Sequence, residues 1–422
     1  MANDFNKEER VAFEDVLEGF NDALTISRNV SKYGTDGQLM ERANDTIWRP
    51  MPYIMTSQDR TLGSDVTAQA ANQLSVPASL GYKKNVSWNM DAAELRDALQ
   101  EGRLGQSAYQ RLASDINTSV RDVVSTQGTL VVTGTSGTYS YSNVADCDTI
   151  MNEQGIMMED RYLALNSRDY NGMAGLLAGK ETINGKTLTA YEKAYIGQNA
   201  GFETFKMDAG YRLAAAAGTC TVDTTGTTAG DTVKYVPTAT STSVGGQINV
   251  DNRYQNITVT DSTDVAAGDA FTIAGVYSVH QITKESTGQL KTFRVVEVVD
   301  GTTLKISPAI VGAVGTATDA ENQYKNVEVE STSATAAVTF LNDQASNVNP
   351  FWHKDSIEIL PGRYAVPDGQ GAAIMRGTTD QGIEVVMTKQ FNNKTFQSLY
   401  TLDVLYGVVN TNPEMNGILM WV

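Results

Sequence analysis

Between residues 6 and 30 apolar positions recur every three or four residues. Phe13, Val16, Leu17, Phe20 and Leu24 share one face, while Glu14, Asp15, Glu18 and Asp22 gather on another. That is the helical period, so an amphipathic helix is predicted. Asn6 followed by Glu9 has the spacing of a capping box, which satisfies backbone donors left open at a helix start. In NDTIWRPMPYIM, residues 44–55, two prolines forbid a helix and suit an extended strand. Residues 56–84 are polar, small and glycine-containing, and read as a long loop or extended hairpin. Ordered loops of that length usually serve a function or a partner. A long helix is predicted from near Asp91, which can cap with Glu94; Leu95, Leu99, Tyr109, Leu112, Ile116, Val120 and Val123 form its stripe. Gly102 and Gly105 lie within it, each costing about 1 kcal/mol relative to alanine, which predicts a bend or break.

TLVVTG (129–134) reads as a strand, and a mixed α/β stretch continues to about Ala217. From Gly218 to about Asn342 the chain turns rich in Thr, Val and Gly and loses any helical period. NITVT (256–260), AFTIAGV (270–276), FRVVEVV (293–299) and TLKIS (303–307) are predicted strands, with Asp300-Gly301 as a tight hairpin turn. Short strands with regular turns predict a small β-barrel or sandwich, inserted into the α/β body. NPFWHKDSIEILPG and the closing QSLYTLDVLYGVVNTNPEMNGILMWV return to strands of the body.

With 422 residues the chain exceeds the roughly 250–300 that one core holds, so two or more domains are expected. Acids outnumber bases 49 to 32, for a formal charge of -17, and there is no Lys/Arg run. Proteins that grip nucleic acid do so by neutralising phosphates with Lys and Arg. The acidity fits plain solubility, or a wall that confines DNA without binding it tightly, and charge alone does not choose. Cys147 and Cys220 stand far apart, so neither a disulfide framework nor a metal site is expected, and a reducing cytoplasm is the simpler setting. MANDFNKEER has no apolar signal core, and no stretch reaches about 18 apolar residues, so neither secretion nor a membrane span is expected.

Candidate chemistry is sparse. His280 and His353 stand in unrelated contexts, away from Cys and outside any HExxH pattern. One histidine suffices for a Ser-His-Asp site, but the GxSxG elbow is missing. GMAGLLAGKET (172–182) approaches a phosphate loop, yet Ala174 stands where Gly is needed and Glu181 where a hydroxyl must hold magnesium. No catalytic residue, cofactor or metal is expected, and the chain does not read as an enzyme. The acidic face of Glu14, Asp15 and Glu18 is either a solvated helix face or a docking site for a basic partner helix. Trp48 and Trp352 are expected to anchor the core.

Motifs along nearly the whole chain follow a familiar order: NDTIW-x-P at 44–50, ELRD at 94–97, AGF at 200–202, VDNR at 250–253, GD-x-x-x-x-AGV at 268–276, VV-x-VVDGT at 295–302, FW at 351–352, YGV at 406–408 and NPE at 412–414. Together they resemble the coat (major capsid) proteins of tailed bacteriophages, specifically the P22 type of short-tailed phage. The resemblance implies an α+β Hong Kong 97 type capsid fold with an inserted β-barrel domain. Its parts would be an N-terminal arm (1–43), an extended loop with flanking strands (44–90), a peripheral and axial body with a spine helix (91–217), the inserted barrel (218–342) and a return to the body (343–422). It implies pentamers and hexamers in an icosahedral shell, assembled in the host cytoplasm around a scaffolding protein. That shell would expand as double-stranded DNA enters through a portal protein, with a decoration protein as an optional addition. In the family, acidic residues of the arm helix meet a basic helix-turn-helix of the scaffolding protein; Glu14, Asp15 and Glu18 occupy that stretch. One departure stands out. The long loop of the inserted domain, VPTATSTSVGGQIN (236–249), carries no charge, and Glu297 stands where a basic residue is expected, so salt bridges between capsomers are not expected from it. An encapsulin-like compartment shell would share the fold, and a β-rich adhesin or glycan-binding protein would fit the Thr-rich middle alone.

Overall fold

The computed structural model describes residues 7–34, 46–51, 54–55, 57, 62–63, 71–91, 98–179, 193, 196–223, 234–243, 246–312, 318–329, 335–365, 373–379 and 381–422. The chain divides into two compact units: residues 1–47, 78–121 and 357–409 form the first, and 48–77, 122–356 and 410–422 the second.

In the first unit helix α1, Lys7–Ala23, follows the predicted amphipathic stretch and ends before it does. Phe13, Phe20 and Leu24 are buried as the period requires. Asn6 lies outside the described residues. A 3-10 turn, Ser27–Asn29, and a two-residue strand, Ser31–Lys32, complete the segment. The long helix α2, Ala98–Gln127, begins later than predicted. Asp91 is not its cap but the last residue of a strand, Tyr82–Asp91, because it pairs in register with Gln397. Glu94 and Leu95 lie outside the described residues. Leu112, Ile116 and Val120 are fully buried along the α2 stripe.

The predicted break at Gly102 and Gly105 does not occur, since α2 runs through both. Gly105 faces α1, where an added Cβ would stand 3.2 Å from Val16 Cγ2, and a Cβ on Gly19 of α1 would stand 2.8 Å from Tyr109 Cζ. The helices therefore approach through one glycine each, and close packing offsets the propensity cost.

The sheet of this unit runs Ser31–Lys32, Ile357–Pro361, Gln397–Asn410, Glu384–Asn392, Ala373–Thr378, with Tyr82–Asp91 also on Gln397–Asn410. Directly opposed aromatics stack across it: Tyr82 on Tyr406 at 5.3 Å and Trp88 on Tyr400 at 5.7 Å. The C-terminal part of the expected 56–84 excursion is thus strand (Ser75–Ser79, then Tyr82–Asp91), and Ser75–Ser79 pairs with Thr46–Pro50. Residues 58–61 and 64–70 of that excursion lie outside the described residues.

Among the described residues the second unit holds two large sheets and a two-stranded ribbon. One is mixed, in the order Leu130–Gly134, Asn416–Trp421, Ser346–His353, Arg161–Asn166, Phe202–Met207, Gln198–Asn199. Helices α3, Tyr141–Glu153, and α4, Ser167–Ala178, cover one face, where Val144, Cys147, Met151, Tyr170 and Met173 meet Leu163, Phe202, Phe351 and Trp421. Gly172 and Gly175 of the phosphate-loop look-alike sit inside α4, where no loop exists to cradle a phosphate. Trp352 is fully buried between Tyr162 and Phe205, whereas Trp48 is half-buried rather than a core anchor.

The other sheet runs Thr221–Asp223, Thr335–Phe340, Ala270–Val279, Ser286–Asp300, Thr303–Ser307, Gln255–Thr258. Its first and last strands meet through the Val222–Val259 bridge and a 2.9 Å bond from Thr260 N to Thr221 O, closing a barrel. Val222, Ile257, Phe271, Phe293, Val295, Leu304 and Ile306 fill it. The hairpin turn is one residue later than predicted. Asp300 pairs with Thr303, leaving Gly301 and Thr302 as the turn. The Asp300 carboxylate accepts from Thr302 N at 2.8 Å, which draws Asp300 back into the strand end and holds its pKa below the usual carboxylate value.

Candidate functional site

Glu14 and Glu18 are exposed one turn apart on α1, and the side chain of Asp15 lies outside the described residues. The C-terminal end of α1 is fastened by Asn117, which sits in the C-terminal half of α2 and is almost fully buried. Its Nδ2 donates to Ala23 O at the end of α1 (3.0 Å), while its Oδ1 accepts from Ile26 N (3.2 Å), Ser27 N (3.3 Å) and Ser27 Oγ (3.2 Å) at the following turn. One amide thus closes the last turn of α1 and opens the next, satisfying groups that helix ends leave unpaired. Sequence reasoning missed it, because a lone Asn within an apolar stripe has no short-range signature.

The uncharged stretch 236–249 is a two-stranded ribbon: Thr240–Ser243 pairs antiparallel with Gly246–Asn249, Thr240 opposite Asn249. The second strand is exposed throughout, Ile248 by 54%. Val244 and Gly245 lie outside the described residues. Asn252 clasps the ribbon at its base. Its Oδ1 accepts from Thr238 N (3.0 Å) and Tyr235 OH (3.0 Å), and its Nδ2 donates to Thr238 O (2.9 Å) and Val250 O (3.0 Å). Next to it, Arg253 holds Asp251 through two bonds of 2.9 and 2.7 Å and donates to Asn410 O at 2.6 Å. The VDNR motif is therefore a clamp, with the amide holding the ribbon and the guanidinium holding the chain at Asn410. Glu297, at the expected basic position, opposes Lys305 on the neighbouring strand at 3.7 Å.

Buried polar groups stitch the barrel to the mixed sheet within the second unit. Lys291 pairs with Glu414 at 2.6 Å and donates to Gln154 Oε1 at 3.0 Å, and Gln154 in turn bonds Ser278. Glu414 also accepts from Asn326 at 3.1 Å. Arg294, fully buried, donates to Ser125 O in the last turn of α2 at 2.6 Å, a cation at the negative end of a helix. Burial lowers its pKa to about 10. Burial also moves Lys284 down to about 8, helped by Lys325 and Lys291 and opposed by Glu414. Both cysteines are buried free thiols; burial pushes Cys147 well up and Cys220 to about 11. His353 is buried with its pKa lowered by desolvation, and His280 packs its ring against Gly155.

The family model described as "P22 coat protein - gene protein 5" matches residues 1–421. The chain belongs to the P22 coat protein family. It is a major capsid protein, a structural subunit of the multimeric shell of a virion, with the Hong Kong 97 type fold and an inserted β-barrel. Solved structures that it resembles include one from Mycobacterium phage Che8, 9% identical with a TM-score of 0.46, covering 94% of this chain and 90% of that one. The mature capsid of bacteriophage PhiM1 is 10% identical with a TM-score of 0.43, covering 94% and 86%. The CUS-3 coat protein I-domain is 40% identical with a TM-score of 0.22, covering 29% of this chain and 96% of that one. Among the described residues no helix is long and apolar enough to cross a membrane.

Proposed function

We propose that the chain assembles with a scaffolding protein in the host cytoplasm into an icosahedral procapsid of pentamers and hexamers, which expands as double-stranded DNA is packaged through a portal. The whole-chain match to the coat protein family carries this reading. In this scheme residues 1–43 are the N-arm, 44–90 the extended loop, 91–217 and 343–422 the body, and 218–342 the inserted domain. A formal net charge of -17 lets the wall enclose DNA without holding it.

The scaffold-docking face is Glu14, Asp15 and Glu18. Glu14 and Glu18 point outward from a helix whose other side is committed to the subunit, so a basic partner helix finds the acids free of packing duties. Each exposed ion pair contributes under about 1 kcal/mol, but repetition around a shell multiplies small contacts. The triple variant Glu14→Lys, Asp15→Lys, Glu18→Lys is expected to stay folded by circular dichroism while losing scaffold content and shell yield. Unchanged yield and scaffold content would remove this assignment. The ribbon 236–249 makes its contacts to a neighbouring capsomer through backbone and hydroxyl groups, since it has no charge to offer.

A further inference from the structure

Phe396 stands in the left-handed backbone region, φ +54°. It closes the hairpin between Glu384–Asn392 and Gln397–Asn410, where the pairing of Asn392 with Gln397 leaves residues 393–396 as the turn. Glycine or asparagine fills such a position at little cost, whereas a bulky side chain there is strained. The ring lies outside the core, so burial does not offset this. Phe396 is 63% exposed and Phe391 39%, their rings edge to face at 6.1 Å. Lys394 N donates to Asn392 Oδ1 at 3.0 Å, which fixes the turn and displays the exposed Lys394 between the two rings in sequence. Between Glu384 and Asp403 the only charged residues are Lys389 and Lys394. Along its own two strands the tip is thus apolar and cationic, with Asp91 of the neighbouring strand opposite Gln397 at its base, in a chain whose formal charge is -17.

We propose that this tip is an assembly contact: Phe391 and Phe396 dock on an acidic face of a second copy of this chain, and Lys394 pairs with a carboxylate there. The proposal rests on the coat-protein reading. A shell subunit meets its own kind over most of its boundary, and this chain's surplus of acids is the complement that the tip lacks. A tip meeting an unlike surface is a heterologous contact, the kind that closes rings. Aromatic side chains, Phe among them, are enriched at the buried centres of interfaces, and a turn already formed loses little freedom on docking.

The test uses the full chain produced with its phage's scaffolding protein, with shells separated from unassembled subunits by sedimentation. Phe396→Gly relieves the backbone, so the subunit is expected to melt no lower than the parent, while the concentration needed for shells rises about tenfold, as for loss of an interface anchor. The double variant Phe391→Ser, Phe396→Gly should lose more, and Lys394→Glu should assemble poorly and recover in part at high salt. Parent-like assembly by the double variant overturns the proposal. So do normal shells that lack only scaffold or portal, because the occupant is then another protein. If the double variant does not fold, Lys394→Glu, which keeps both rings, decides: reduced assembly supports the contact and unchanged assembly overturns it. A parent chain that forms no shells would instead count against the coat-protein reading itself.

Discussion

At the residue scale the subunit is organised by buried amides and cations that reach across long stretches of sequence. Asn117 serves residues ninety or more positions away. Replacing it with alanine leaves Ile26 N and Ser27 N without that partner in a buried place, where an unmet hydrogen bond costs about 1–3 kcal/mol. Asn117→Ala is therefore expected to destabilise the subunit by about 2–3 kcal/mol. It should also speed hydrogen exchange in residues 7–29 more than elsewhere. A urea midpoint and exchange pattern equal to the parent's would show that the clasp carries no weight. Lys291 and Arg294 work alike in the second unit, spending their charge on Glu414 and on the end of α2.

At the element scale the ribbon is the most exposed piece of regular structure in the described barrel, and an isolated two-stranded hairpin is marginal in water. Asn252 supplies what the ribbon lacks, a buried base with bonds to both of its legs. Asn252→Ala is expected to leave the barrel folded but to free the ribbon, with amide protection lost from 238 to 250 and kept in 270–307. Loss of protection throughout the barrel would mean that Asn252 holds the barrel and not the ribbon. The elements themselves differ in how far the sequence announces them. The period of Phe13, Phe20 and Leu24 marks α1, and Thr303–Ser307 lies where its alternation places it. Asp91 misleads, because a polar residue before a helix satisfies capping rules even while it still pairs in a strand. Gly105 misleads in the opposite direction: its cost is local and visible, while the helix that it admits is distant. The VDNR motif is visible as a pattern, but its work depends on Thr238 and Asn410, which only the fold brings to it.

At the scale of the whole molecule, family membership follows from the match along residues 1–421, and the structure supplies physical content for motifs that carried the resemblance. FW at 351–352 is the buried centre of the mixed sheet, GD-x-x-x-x-AGV enters the barrel strand Ala270–Val279, and the Glu of NPE receives Lys291. The acidic candidates sit differently. Their role needs a partner, so no contact within one chain reports on it. A capsid subunit keeps its function on surfaces that a single copy leaves unoccupied.

The measurement that bears most directly on the coat-protein account is electron microscopy of the full chain produced with and without its phage's scaffolding protein. The account predicts uniform closed icosahedral shells with the scaffolding protein, and few or aberrant shells without it. Unassembled subunits under both conditions, with the protein otherwise folded, would contradict it.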